Sequence, residues 1–173
     1  MGKRSSFERI PRDAYDTPVE AVLPLLPHLP ESFRYWEPCA GALALVGPIG
    51  RTCVCTDIEP RDALVSQRDA LETDLCEMLF PIDFIITNPP WSRKVLHPMI
   101  EHFSDMRPTW LLFDADWVHT RQSAPFLPRL RKIVSVGRVK WIPGSKMTGK
   151  DNCCWYLFDR PSDQPAQFFG RAQ

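Results

Sequence analysis

Short apolar runs recur along the chain, and most of them stop abruptly at a proline, a glycine or an acid. Phe33-Arg34-Tyr35-Trp36 runs into Glu37-Pro38-Cys39-Ala40-Gly41, and Thr52-Cys53-Val54-Cys55-Thr56 into Asp57. Asp83-Phe84-Ile85-Ile86-Thr87 runs into Asn88-Pro89-Pro90, and Trp110-Leu111-Leu112-Phe113 into Asp114-Ala115-Asp116. Several runs are continuously apolar rather than alternating, as in strands covered on both faces. Between them the pattern predicts helices over 42–49, 61–71, 94–103 and 122–130. An earlier helix begins near Thr17, with Asp16 or Thr17 as cap and Pro18 in its first turn. It ends near Leu26, because Pro24, Pro27 and Pro30 interrupt it.

Strands alternating with helices predict an α/β fold with a mostly parallel, doubly wound sheet. The last two runs, Lys132 to Val139 and Cys153 to Phe158, face each other across a loop and predict a C-terminal antiparallel hairpin. In such sheets ligands bind beyond the carboxyl ends of the strands. Four successive strand ends here carry polar or turn residues: Glu37-Pro38, Asp57, Asn88-Pro89-Pro90 and Asp114.

The 173 residues suit one domain, 1–173, with 1–14 expected as a flexible arm and 161–173 as a flexible tail. The formal net charge of zero gives the molecule no overall attraction for polyanions, so such a site must be a local patch. No apolar run reaches the roughly 18–20 residues of a membrane span. The basic N-terminus lacks the apolar segment of a signal peptide. Met1-Gly2 with Ser6 matches a myristoylation pattern, but nothing else points to a membrane. The six cysteines form no C-x-x-C pair and the four histidines are scattered, so no metal site is expected. Free thiols used as small core residues fit a cytoplasmic protein.

Chemistry enters at the strand ends. Gly41 lets a ligand approach the backbone of a tight turn. Asp57 can accept from both hydroxyls of a ribose, although an acid at a strand end also serves as a cap or turn former. Asn88-Pro89-Pro90-Trp91 carries the stronger signal. The prolines make the loop rigid and remove donors. The Asn88 side-chain oxygen and the Pro89 carbonyl provide two acceptors for one amino group, and Trp91 a face on which a planar base stacks. An aromatic amine is a poor nucleophile because its lone pair is delocalised into the ring. Two acceptors on its hydrogens favour a pyramidal nitrogen as positive charge develops.

With these motifs the chain resembles the class I S-adenosylmethionine-dependent methyltransferases, in the amino-methylating group with an Asn/Asp-Pro-Pro-aromatic loop. It looks most like small phage or prophage DNA N6-adenine methyltransferases, from about Tyr15 to Phe158. The resemblance implies a Rossmann-like fold, S-adenosyl-L-methionine as cofactor, and Asn88, Pro89, Pro90 and Trp91 as the catalytic loop. It implies that Tyr15 and Thr17, of Tyr15-Asp16-Thr17-Pro18, meet the cofactor's methionine end. Glu37, Pro38, Gly41, Asp57 and Asn88 would hold the rest. Asp74 falls where the family has an acid near the cofactor adenine, with Asp69 competing for that place. Leu43 departs from the pattern, which has a second glycine there.

A target-recognition domain has little room, so substrate contact falls to short loops. Residues 121–150 hold eight basic residues and no acidic one. Arg121, Lys146 and Lys150 are candidate substrate contacts, the last two in the basic loop 143–150, which suits phosphates. A solvated basic face is the plainer reading. Trp141 and Trp155 read as core or hairpin residues rather than stacking platforms. The expected partner is nucleic acid, DNA ahead of RNA, bound by a monomer or homodimer. RNA or protein-glutamine methylation is the alternative within enzymes, and a non-catalytic binding module on the same fold is the alternative outside them.

Overall fold

The computed structural model describes residues 15–78, 80–144 and 148–171. The expected N-terminal arm, 1–14, and Lys146 lie outside the described residues. Eight strands form one sheet: β1 (Arg34–Glu37), β2 (Thr52–Asp57), β3 (Ser66–Gln67), β4 (Phe84–Thr87), β5 (Thr109–Asp114), β6 (Leu130–Arg138), β7 (Asn152–Phe158) and β8 (Gln167–Phe169). Their order is β3-β2-β1-β4-β5-β7-β6-β8. Neighbours pair in parallel except at β7, which is antiparallel to both β5 and β6. This is the doubly wound Rossmann-like sheet with its C-terminal hairpin.

The continuously apolar runs have their physical reason in the two cores. Because successive side chains of a strand point to opposite faces, Tyr35, Ile86, Trp110, Leu112 and Trp155 fill one core. Trp36, Ile85, Leu111, Phe113 and Tyr156 fill the other. The second is covered by α3 (Arg93–Met106), whose buried Leu96, Met99, Ile100 and Phe103 recur at helical spacing. The first is covered by two one-turn helices, α1 (Val19–Val22) and α2 (Val46–Ile49). Trp155 ties α1 to the sheet by donating its buried Nε1–H to the Ala21 carbonyl at 2.8 Å.

The helices differ most from expectation. No helix forms over 61–71. There the Asp62 and Asp69 carboxylates accept from the backbone N–H two residues on, Leu64 and Leu71, each at 2.9 Å. Such Asx turns compete with helical hydrogen bonding, and the two-residue strand β3 forms between them. Over 42–49 only α2 is helical. Pro18, not Asp16 or Thr17, occupies the cap position of α1, without a side-chain cap. The segment 122–130 becomes a 3-10 run, Arg121–Arg129, with Pro125 and Pro128 inside it. The expected flexible tail is corrected in part: β8 lies within it and pairs with β6 from Lys132↔Gln167 to Val134↔Phe169. No helix among the described residues is long and apolar enough to cross a membrane.

Candidate functional site

From β1 the sheet is wound one way through β2 and β3 and the other way through β4 and β5. The crevice at such a reversal, beyond the carboxyl ends of β1 and β4, is where doubly wound sheets bind ligands. Glu37 ends β1 and Asn88 follows β4 directly, so the topology brings together two motifs some fifty positions apart in sequence.

On the β1 side the chain turns at Gly41, with φ +50°, and Leu43, with φ +64°. A leucine in the left-handed region is unusual and carries a steric cost that a glycine would not. Asp57 closes the turn from β2: Oδ2 accepts the Gly41 N–H and Oδ1 the Glu59 N–H, both at 2.8 Å. Each carboxylate oxygen retains a further lone pair for a hydroxyl donor. Over Gly41 lies the Arg61 guanidinium, which pairs with Asp16 at 2.5 Å. A Cβ on Gly41 would come within 2.7 Å of that guanidinium, which would have to shift, and the positive φ adds backbone strain for any other residue.

Glu37 is 2 % exposed, and its Oε2 has no hydrogen-bond partner among the described residues. Burial, then the neighbouring Cys53 thiol and Asp57 carboxylate, push its pKa well above the ordinary carboxylate range. An uncompensated buried acceptor at the end of β1 is costly in a fold and suits a place that a ligand completes.

On the β4 side the catalytic-loop candidates are tied to the N-terminal segment. Asn88 Nδ2 donates to Thr17 Oγ1 at 3.1 Å, and Trp91 Nε1 donates to Asn88 Oδ1 at 3.2 Å. The Asn88 amide is thereby oriented, and its oxygen has capacity for one further donor. Pro89 is buried and Pro90 half-buried, which fixes the loop against the sheet.

Trp91 does not stand alone. Trp141 meets it edge-on, with ring centroids 5.6 Å apart and planes at 85°, and Tyr15 lies 6.5 Å from Trp141. The sequence reading placed Trp141 in the core or hairpin. It is half-buried in the loop after β6, which folds back so that the Gly149 N–H donates to the Val139 carbonyl at 2.8 Å. A Cβ on Gly149 would press on the Trp141 ring at 3.3 Å, so Gly149 also sets that ring's position.

The structure separates other candidates. Asp74 is not brought to this rim. It caps the 3-10 turn Leu75–Glu77 and lines a cavity with Ile82 and Arg107, which precede β4 and β5 at the opposite end of the sheet. Asp69, the competing acid, follows β3 beside Asp57, whose carbonyl accepts the Arg68 N–H at 2.9 Å. The basic stretch is also divided. Arg129 pairs with Asp105, and Arg131 donates to the carbonyls of Pro128, Leu130 and Arg160, away from the crevice. Arg121, Arg138, Lys140 and Lys150 are exposed on segments that leave or enter the strands at the crevice end. Exposed Arg93 and Lys94 open α3 directly after the Asn88-Pro89-Pro90-Trp91 loop, and Arg93 reaches Gln122 beside Arg121. The sequence reading passed over these two because they lie outside the acid-free stretch.

No protein-family model matches the chain, and no curated protein matches it in sequence. Solved structures share its fold. A chain from a type I restriction-modification assembly matches with a TM-score of 0.57 and 13% identity over 96% of this chain and 46% of its own. A protein described as a candidate RNA methyltransferase from Pyrococcus horikoshii matches with a TM-score of 0.56 and 15% identity over 92% and 94%. The methyltransferase subunit of a type I restriction-modification system from Streptococcus thermophilus matches with a TM-score of 0.56 and 8% identity over 98% and 48%. The chain thus spans about half the length of the two restriction-modification proteins. At these identities the likeness establishes a fold shared with these proteins.

Proposed function

We propose that this chain is an S-adenosylmethionine-dependent methyltransferase acting on the exocyclic amine of a nucleic-acid base, with adenine N6 of DNA as the preferred target. The observation that carries the reading is the Asn88-Pro89-Pro90-Trp91 loop at the reversal point of the sheet, with its Asn88 side chain held between Thr17 and Trp91.

The residues present suit the cofactor. Asp57 has lone pairs for the ribose hydroxyls, the Gly41 turn has no side chain to exclude a ligand, and the Glu37 carboxyl lacks a partner. Tyr15, Thr17 and Pro38 complete that side, with Asp69 rather than Asp74 as the acid on the rim. When bound, the cofactor supplies an electrophilic methyl group on a sulfonium.

The chain's own part is positioning and electrostatics. Asn88 Oδ1 and the Pro89 carbonyl accept the two amine hydrogens, which localises the nitrogen lone pair as it attacks. Holding that nitrogen in line with the methyl group removes most of the entropic cost of the encounter. Trp91 and Trp141, set at right angles, offer a face and a wall to a base turned out of its stack. Arg93, Lys94, Arg121, Arg138, Lys140 and Lys150 on that end supply the phosphate contacts.

Methylation of an RNA base is the second reading, favoured by the candidate RNA methyltransferase among the structural neighbours. Labelled cofactor with duplex DNA, RNA and protein as acceptors separates these readings and glutamine methylation. Asn88→Ala is expected to abolish transfer while cofactor affinity stays within a few-fold. Retained transfer in that variant refutes the role given to the loop.

A further inference from the structure

Cys53 and Cys55 sit two residues apart on the same face of β2, with their Sγ atoms 3.3 Å apart. Both are partly exposed. Their register partners on β1 are Tyr35 and Glu37, so the pair borders the strand that delivers the buried Glu37 carboxyl to the crevice. Two residues beyond Cys55 stands Asp57, which holds the Gly41 turn.

The other cysteines are chemically quieter. Burial pushes Cys39 up to about 12, Cys154 up to about 11, and Cys153 higher still. The Asp74 side chain raises exposed Cys76. In the Cys53–Cys55 pair, one thiol donating to the other sulfur favours a thiolate on its neighbour, which lowers Cys53 against the opposing effect of burial. A thiolate with a second sulfur within van der Waals reach is the arrangement in which oxidation leads on to a disulfide.

We propose that Cys53 and Cys55 form an oxidation site, in which a peroxide converts the two thiols to a disulfide within β2 and thereby loosens the Gly41–Asp57 turn. The Cys53 thiolate attacks one peroxide oxygen; an S–O bond forms, the O–O bond breaks and hydroxide leaves. The Cys55 sulfur then attacks the Cys53 sulfenic acid; the S–S bond forms, the S–O bond breaks, and the departing hydroxide takes the Cys55 proton as water. The peroxide is reduced to water and the thiols are oxidised, so no further reagent is needed. A small-molecule dithiol reverses the reaction.

The effect on the site follows from strand geometry. Residues i and i+2 of an extended strand have Cα atoms about 6.5 Å apart, near the upper limit for a disulfide. Their Cβ atoms must also approach to about 3.8 Å, which a straight strand does not allow. β2 therefore has to bend, and the bend falls two residues before the carboxylate that accepts the Gly41 and Glu59 N–H groups. That consequence for binding rests on the proposed cofactor site; the disulfide itself does not.

The test treats the full chain with hydrogen peroxide and maps alkylated, unreduced peptides by mass spectrometry. The expected result is loss of two hydrogens within the peptide holding Cys53 and Cys55, absent in Cys53→Ser and Cys55→Ser and retained in Cys39→Ser. Oxygen addition at Cys76 with both Cys53 and Cys55 still alkylated overturns the proposal. Calorimetric titration with S-adenosylmethionine then compares reduced and oxidised protein. Affinity is expected to fall about ten-fold or more on oxidation and to return with dithiothreitol. An unchanged affinity with the disulfide in place overturns the link to the turn. Absence of binding by the reduced protein counts against the proposed cofactor instead, and the peptide map still decides the oxidation site.

Discussion

Replacing Asp57 by asparagine keeps the size of the side chain and changes only its charge and one acceptor. The carboxylate accepts two backbone N–H groups, Gly41 on Oδ2 and Glu59 on Oδ1, both at 2.8 Å. An amide offers one acceptor and one donor, so whichever way it turns, its NH2 faces one of the two N–H groups. A hydrogen bond to a charged group contributes about 1.5–3 kcal/mol. Asp57 is half-buried, and water reaches part of the site, so the expected loss is about 1–2 kcal/mol. For a chain of this length each kcal/mol lowers Tm by about 2–4 °C, which sets the expected fall at about 2–8 °C. The same carboxylate carries the proposed ribose contacts, so S-adenosylmethionine affinity should fall about ten-fold or more. Thermal melts followed by circular dichroism and calorimetric titration measure the two effects on one preparation. A Tm within about 1 °C of the parent, together with an unchanged Kd, would mean that Asp57 neither holds the turn nor meets the ligand.

Two further perturbations probe the neighbouring groups. Because burial raises the Glu37 pKa, the folded chain keeps a proton that the unfolded chain releases near 4.5. Stability from this group therefore declines as pH rises from that value toward the folded one. Glu37→Gln removes the slope, so its Tm difference between about pH 5 and about pH 8 should be smaller than the parent's; parallel profiles contradict the assignment. Trp141→Leu should weaken binding of the base-bearing substrate by about 1–3 kcal/mol, the usual contribution of one stacked base, with cofactor affinity unchanged. Equal substrate KM in parent and variant removes Trp141 from the site.

The fold was legible because its evidence is local. Runs such as Phe84-Ile85-Ile86-Thr87 are apolar on both faces, and the structure sandwiches them between two cores. The helix over 61–71 was misread for an equally local reason: Asp62 and Asp69 divert the backbone into turns, and periodicity alone does not weigh that competition. Of the candidate site, the Asn88 loop and Asp57 stand out in the sequence because each ends an apolar run, and Gly41 because it lies in the turn that follows one. Asp74 was preferred over Asp69 on spacing, yet the chain between them descends to the other end of the sheet. Trp141 reads as a core or hairpin residue and lies in the hairpin loop against one of the cores, but its meeting with Trp91 depends on the return of that loop, which no local pattern shows.

By itself the sequence determined the succession of strands, the rigid proline loop after β4 and the acids and glycine at the strand ends. These depend on backbone preferences and burial that act within a few residues. Only the tertiary structure decided which of those ends meet. Strand order sets β1 beside β4, and that reversal brings Asn88 into the crevice with Glu37. The return of the β6–β7 loop sets Trp141 against Trp91, and the Asp16–Arg61 pair crosses Gly41. Such meetings are long-range packing outcomes: they depend on how several elements share one core, which no local pattern encodes.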